Sequence, residues 1–301
     1  MKKRKTLQDL TIKDNFLFGA VMSVEENCKG FLEMVLGFPI AHVVVSKEKS
    51  IVYHPEYKGV RLDIYAEDEH RTHYNVEMQV QKKNALGRRS RYYHRQMVME
   101  ALASGEDYET MPDTFVIFIC DYDPFGEHLY YYTFGTECRE NKHVKLDDGG
   151  CTIFLSTKGE NEAEVPPELV KFLKFVTADL AESEEDFQDE LVGQFQETIQ
   201  RIKTDRKMGE RYMIFEEMLR EEKQEGRQEG RLEGRLEAKR EDILELLEDL
   251  GTIPDELRDR IAGIENLEDL KVLFKMAARA DSFHTFEEKM EEHLHSKEKQ
   301  E

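Results

Sequence analysis

The eight residues Tyr74–Gln81, YNVEMQVQ, alternate polar and apolar side chains with a period of two, the pattern of a β-strand with two chemically distinct faces. Its polar face carries Asn75, Glu77, Gln79 and Gln81, carboxylate and carboxamide groups where a solvated edge would carry threonines and lysines. Just upstream, VRLDIYA (residues 60–66) has the β-branched and aromatic content of a second strand, and the polar connector EDEHRTH (67–73) joins the two as a hairpin would. Asp63 stands between Leu62 and Ile64, and Glu77 between Val76 and Met78. Each acid therefore points away from its apolar neighbours, and in a hairpin the two share a face.

Two carboxylates held together repel one another and raise a pKa unless a cation sits between them. Hard oxygen donors with room left for water suit Mg²⁺ or Mn²⁺, and such an ion activates water and stabilises charge on a phosphodiester. Gln79 projects to the same face and is placed to orient water or phosphate. A plainer alternative stands beside this one: Asp63 as a hairpin ion-pair partner, with Glu77 and Gln79 on a solvated face. Spacing alone does not choose between them.

The surroundings narrow the choice. The chain has 301 residues, 39% hydrophobic and 36% charged, and a net charge of -21, enough for one substantial core or two modest ones with much solvated helix. Residues 1–110 hold 17 Lys and Arg against 16 Asp and Glu, so the excess of acid lies in the remainder. Between Arg71 and Arg95 there are seven basic residues and one acid, Glu77. Lys82, Lys83, Arg88, Arg89, Arg91 and Arg95 thus form a basic island after the strand, suited to a nucleic-acid backbone, whereas residues 160–200, with twelve acids and two lysines, would repel phosphate. No run of 18 apolar residues exists, and the basic start, MKKRK, lacks the apolar stretch of a signal peptide, so a cytoplasmic protein without a membrane partner is expected. Cys28, Cys120, Cys138 and Cys151 show no C-x-x-C spacing and read as free thiols; Cys138, His143 and Cys151 lack the fourth ligand and the spacing of a zinc knuckle.

Along the chain, two short helices precede strands at HVVVS (42–46), VRLDIYA and YNVEMQV; a helix follows in GRRSRYYHRQMVMEALASG (87–105), then a buried strand in TFVIFICDYDP (114–124). LYYYTF and CTIFLS read as two more strands in a meander. After Pro166-Pro167 the pattern is helical, with no proline from Asp186 to about Gly251, which predicts one long helix. In it EGRQEGRLEGRLEAKRE places Gly226, Gly230, Gly234 and Ala238 every four residues. Three glycines cost a lone helix about 1 kcal/mol apiece relative to alanine, a penalty that close packing of another helix would offset; the alternative is a low-complexity charged linker that is helical only part of the time. The tail from about residue 241 reads as a small helical module, PDEL and NLEDL having the form of helix starts.

Helix, strand, strand with Asp, strand with Glu-x-Gln, basic helix and apolar strand is the αβββαβ order of the PD-(D/E)xK restriction-endonuclease-like core, a mixed sheet flanked by helices. In KDNFLFGAVM, RLDIY, YNVEMQ, RRSRYYHRQM and the EGR repeat the chain resembles the Rpn recombination-promoting nucleases, also described as transposases of the PD-(D/E)xK superfamily. The resemblance covers nearly the whole chain. It implies a metal-dependent DNA endonuclease that promotes recombination, using Mg²⁺, or Mn²⁺ or Ca²⁺. It implies catalytic roles for Asp63, Glu77 and Gln79, and a metal held by Asp63, Glu77 and the backbone carbonyl of Met78. The sequence departs from the motif twice. Leu62 replaces the proline before the aspartate, and Gln79 replaces the lysine, so that either Lys82 or Arg91 supplies its charge or turnover is slow. The expected division is a nuclease-like domain at 1–165, a helical connector at 166–240 and a C-terminal helical module at 241–301, through which a homo-oligomer would form. The competing expectation is a weakly active or inactive nuclease-fold protein that binds DNA and acts through that tail.

Overall fold

The computed structural model describes residues 5–51, 60–102, 105 and 107–298. The chain folds as two compact units, residues 1–213 and 214–301.

The first unit opens with helices α1 (Asn15–Met22) and α2 (Glu25–Leu36), followed by strands β1 (Val43–Ile51), β2 (Val60–Asp68) and β3 (His73–Gln79). Helix α3 (Leu86–Ala101) leads to β4 (Thr114–Cys120), β5 (Tyr131–Phe134) and β6 (Gly150–Ser156), and α4 (Pro167–Thr177) and α5 (Glu190–Thr204) close the layer arrangement. The six strands form one mixed sheet in the order β1-β2-β3-β4-β6-β5. β1 to β3 run antiparallel to one another in turn, β3, β4 and β6 are parallel, and β5 is antiparallel to β6. The expected meander is therefore only partial, because β6 inserts between β4 and β5. The burial of these strands explains it. The second half of β6 is buried whereas β5 is short and half exposed, so the longer strand takes the interior position and the short one the edge.

β3 and β4 are the middle of the sheet. β4, TFVIFIC, is apolar almost throughout, as a strand covered on both faces must be. β3 is buried at every position despite its polar face, so that face is covered and not solvated. Helix α3 supplies the cover. Asn75, Glu77 and Gln79 lie in register with Val116, Phe118 and Cys120, and these three pack in one cluster with Leu86, Tyr93 and Met97 of α3. The remaining helices form their own layer, Phe31 of α2 packing on Phe172 of α4 and Phe172 on Phe195 of α5.

The helical region is broken once where a single helix is expected. α5 ends at Asp205, whose extended backbone (ψ 117) and side chain, accepting from the Lys207 amide at 2.8 Å, start a new helix; a local carboxylate bond of this kind competes with helix continuation. Helix α6 (Arg206–Glu248) then carries the EGR repeat. An added Cβ at Gly226, Gly230 or Gly234 would have nothing within 4 Å among the described residues, so none of them packs against the stripe.

In the second unit, Ile243 and Leu247 of α6 join α7 (Asp255–Ala262), α8 (Leu267–Ala277) and α9 (Phe283–Glu298) around Ile253, Leu257, Ile261, Leu270, Leu273, Phe286 and Met290. Pro254 precedes α7, and the Asn266 side chain accepts from the amides of Glu268 (2.9 Å) and Asp269 (3.3 Å) to cap α8. Among the described residues no helix is long and apolar enough to cross a membrane.

Candidate active site

The hairpin register sets the acids side by side. The β2–β3 ladder pairs Ile64 with Val76, and one step further along both strands stand Asp63 and Glu77. Alternation turns both away from the apolar face on which Ile64, Val76 and Met78 are buried. Asp63 is half-buried, Glu77 is 1% exposed and Gln79 is 4% exposed.

Around Glu77 the hydrogen bonds are nearly saturated. Asn75 Nδ2 donates to Oε1 at 3.3 Å, and Gln79 Nε2 donates to Oε2 at 3.2 Å. Arg89, one turn into α3, donates from Nη2 to the same Oε2 at 2.7 Å and from Nη1 to Gln79 Oε1 at 3.3 Å. The Tyr93 hydroxyl receives both Arg89 Nη2 (2.7 Å) and Nε (3.2 Å). The guanidinium lies 5.4 Å from the Tyr93 ring centre and 5.8 Å from that of Phe118. The backbone brings Arg89 here through a tight entry to α3, in which Ala85 adopts a left-handed conformation with φ 63°.

The electrostatics follow from this packing. Burial pushes the Glu77 carboxyl up to about 7; the charge of Asp63 adds to the rise, and Arg89 opposes it. Burial works against the Arg89 charge, but its bonds to Tyr93 and the charge of Glu77 outweigh that, and its pKa is raised. Tyr93 is pushed up to about 12, by burial and then by Glu77. The site is thus a carboxylate pair in which Arg89 is a counter-charge to Glu77.

Among the described residues no group of three or more His, Cys, Asp or Glu is placed to hold a metal ion; the site offers two carboxylates. It also offers a third hard oxygen. Asn75 Oδ1 is buried with no hydrogen-bond partner, beside the Glu77 carboxylate that its own Nδ2 contacts. An oxygen-only donor set carrying two negative charges fits a divalent cation of the Mg²⁺, Mn²⁺ or Ca²⁺ class.

The basic residues divide into two groups. Lys82, Lys83, Arg88, Arg91 and Arg95 are exposed, whereas Arg89 turns inward to Glu77. The cation beside Gln79 is Arg89, not Lys82 or Arg91. Its i, i+4 spacing to Tyr93 was the available sequence signal, masked by the five basic neighbours. Other acids of the unit serve the fold. Asp123 accepts from the amides of Phe125 and His128 and from the Tyr132 hydroxyl, Asp121 pairs with Lys13 at 3.3 Å, Asp14 accepts from the Thr11 amide, and Glu33 accepts from the Ile40 amide.

A six-stranded mixed sheet between helices, with an Asp and a Glu-x-Gln on adjacent strands, defines a PD-(D/E)xK α/β fold. The chain belongs to the PD-(D/E)XK nuclease family transposases, whose family model matches residues 12–228. No curated protein and no solved structure matches it. Membership supports a nuclease-like function, with DNA the substrate that the family implies.

Proposed function

We propose that the protein is a metal-dependent DNA endonuclease that promotes DNA recombination in the cytoplasm. The observation that carries this reading is the juxtaposition of Asp63 with Glu77 on adjacent strands, the Glu77 carboxyl buried and its pKa raised to about 7 by that burial first and by the charge of Asp63 second. Asp63, Glu77 and the Met78 carbonyl would hold the ion, with Asn75 Oδ1 beside them as a further oxygen; it is most simply Mg²⁺, with Mn²⁺ or Ca²⁺ as alternatives. When bound, such an ion supplies water activation and charge stabilisation at the phosphodiester.

The protein's own groups do the rest. Gln79 has neither a charge nor a titratable proton, so it orients: its Nε2 holds Glu77 and its Oε1 holds Arg89. Arg89 supplies beside Glu77 the positive charge that a lysine at position 79 would carry. Lys82, Lys83, Arg88, Arg91 and Arg95 stand exposed to neutralise phosphates. Purified protein should nick supercoiled plasmid when Mg²⁺ or Mn²⁺ is added, and Asp63→Ala should not. Equal nicking by the two forms would sink the reading.

A second reading, a weakly active DNA-binding protein that assembles through its tail, draws on a specific feature of α6. Ile214, Met218, Leu219 and Leu232 are 43–63% exposed there, apolar surface that a homo-oligomer would cover. DNA binding without metal-dependent cutting, together with assembly of the full chain in sedimentation, favours it.

A further inference from the structure

On the flank of α3 away from Glu77, the same helix walls a cleft of about 520 Å³. We infer that this cleft binds a nucleoside monophosphate unit, and that the unit is an unpaired nucleotide of the DNA strand held by the basic helix; the inference rests on the nuclease reading for its choice of strand.

Three kinds of surface meet there. At the rim, Arg91 and Arg95 stand one turn apart on α3, roughly 6 Å along its axis, both exposed and neither with a hydrogen-bond or ion-pair partner among the described residues. In a chain of net charge -21, unpaired arginines side by side mark a place for an anion, and a guanidinium pair matches a phosphate. The walls are apolar: Val98, Met99 and Phe134, the last two 45% and 46% exposed. An aromatic ring open to a cleft is a stacking platform for a base. Phe134 is braced from behind by Phe125 and Phe154, at 5.1 and 5.7 Å between ring centres.

The floor is a polar network without a net charge. His94 Nδ1 meets Thr114 Oγ1 at 2.7 Å, His94 Nε2 meets Thr152 Oγ1 at 2.9 Å, and Thr152 Oγ1 meets Ser90 Oγ. Ser90 and Thr114 are each 2% exposed. Burial holds the imidazole down to about 4, so it is neutral at physiological pH. One carboxylate also lines the cleft, Asp148, which accepts from Thr136 Oγ1 at 2.7 Å and from the Gly150 amide at 3.4 Å. Its remaining lone pairs suit an exocyclic amine or a sugar hydroxyl and disfavour a second phosphate. A cleft of this volume, with an apolar wall, a few fixed polar groups, an arginine pair at its rim and one carboxylate, has the anatomy of a small-ligand site. Paired bases are stacked away from such a cleft, so only an unpaired or extruded nucleotide can enter it.

The test is fluorescence with 2-aminopurine placed in a DNA duplex, either in a one-nucleotide bulge or fully paired, alongside free dAMP as competitor. All arms contain EDTA, so a protein that never cuts can still bind, and failure of the nuclease reading is scored separately by plasmid nicking with metal. Wild type should bind the bulged duplex at least tenfold more tightly than the paired one. Phe134→Ala should bring the two within about twofold while leaving affinity for the paired duplex unchanged. Met99→Ala, at an exposed helix position, repeats the test without disturbing the aromatic cluster. Saturable dAMP binding lost in both variants, without preference for the bulge, would keep the nucleotide site and assign it to free nucleotides, overturning the DNA arm. Equal affinity for both duplexes and no dAMP binding would overturn the inference outright.

Discussion

Arg89 Nη2 lies 2.7 Å from Glu77 Oε2, joining a helix to the centre of a sheet through a pair in which the carboxylate is buried and the guanidinium is 30% exposed. Removing one member of such a pair leaves the other desolvated without its counter-charge. Arg89→Ala should therefore lower stability by about 2 kcal/mol, at the mild end for buried pairs because Glu77 can take a proton instead. Arg89→Lys should recover part of that loss, keeping the charge but not the fork that reaches Gln79 and Tyr93. Urea unfolding monitored by circular dichroism checks both.

The carboxylates should dominate activity. Asp63→Ala and Glu77→Ala are each expected to reduce metal-dependent nicking by at least about 100-fold, beyond the 10- to 100-fold typical of a ligand's hydrogen-bonding partners. Asn75→Ala should fall within that smaller range. Unchanged near-ultraviolet circular dichroism would show that the fold survives; nicking within threefold of wild type for Asp63→Ala would remove it from the site.

Gln79→Lys places a cation next to Glu77. A positive charge at that distance favours the ionised carboxyl, so the Glu77 pKa should fall from about 7. Titration of the glutamate side-chain carbons by NMR, without divalent ions, measures it directly. A pKa that stays or rises would mean that repulsion between the introduced ammonium group and Arg89 drives one of them out of the site.

His94 makes stability depend on pH in a definite direction. Its pKa is about 6.5 when unfolded and about 4 in the folded protein, burial lowering it while Asp148 opposes the shift. Between those values the unfolded chain binds a proton that the folded one refuses, so stability is complete above pH 6.5 and is lost as pH falls toward 4. The loss attributable to this residue is about 3 kcal/mol. In His94→Gln the difference in stability between pH 6.5 and 4 should shrink by that order; an identical pH dependence in both proteins would contradict the buried neutral assignment.

For the EGR repeat, open space around Gly226, Gly230 and Gly234 predicts that three alanines there raise helicity, each by about 1 kcal/mol of helix propensity, and leave the sedimentation coefficient unchanged. If copies of α6 pack along the stripe, the added methyl groups would instead weaken assembly. Ellipticity at 222 nm and sedimentation velocity separate the two.

The order of elements was legible because period-2 and period-3.6 patterning are local properties of the chain. Hence β2, β3, α3 and β4 lie where VRLDIYA, YNVEMQV, RRSRYYHRQM and TFVIFIC predict them, with Asp63, Glu77 and Gln79 on adjacent strands. Even the break at Asp205 is a local event, though one side-chain bond is too small a signal to outweigh a long proline-free run.

Which residues face together along each strand is written in the alternation itself, which admits no other arrangement once the register is set. The tertiary structure alone decided what those faces meet. The insertion of β6 between β4 and β5 depends on which strand gains more by burial, a comparison across segments far apart in the chain. Likewise, six neighbouring basic residues look alike until α3 docks on the sheet. That docking turns Arg89 inward to Glu77 and leaves Arg91 and Arg95 at the rim of a cleft, because a helix presents residues two apart to different sides.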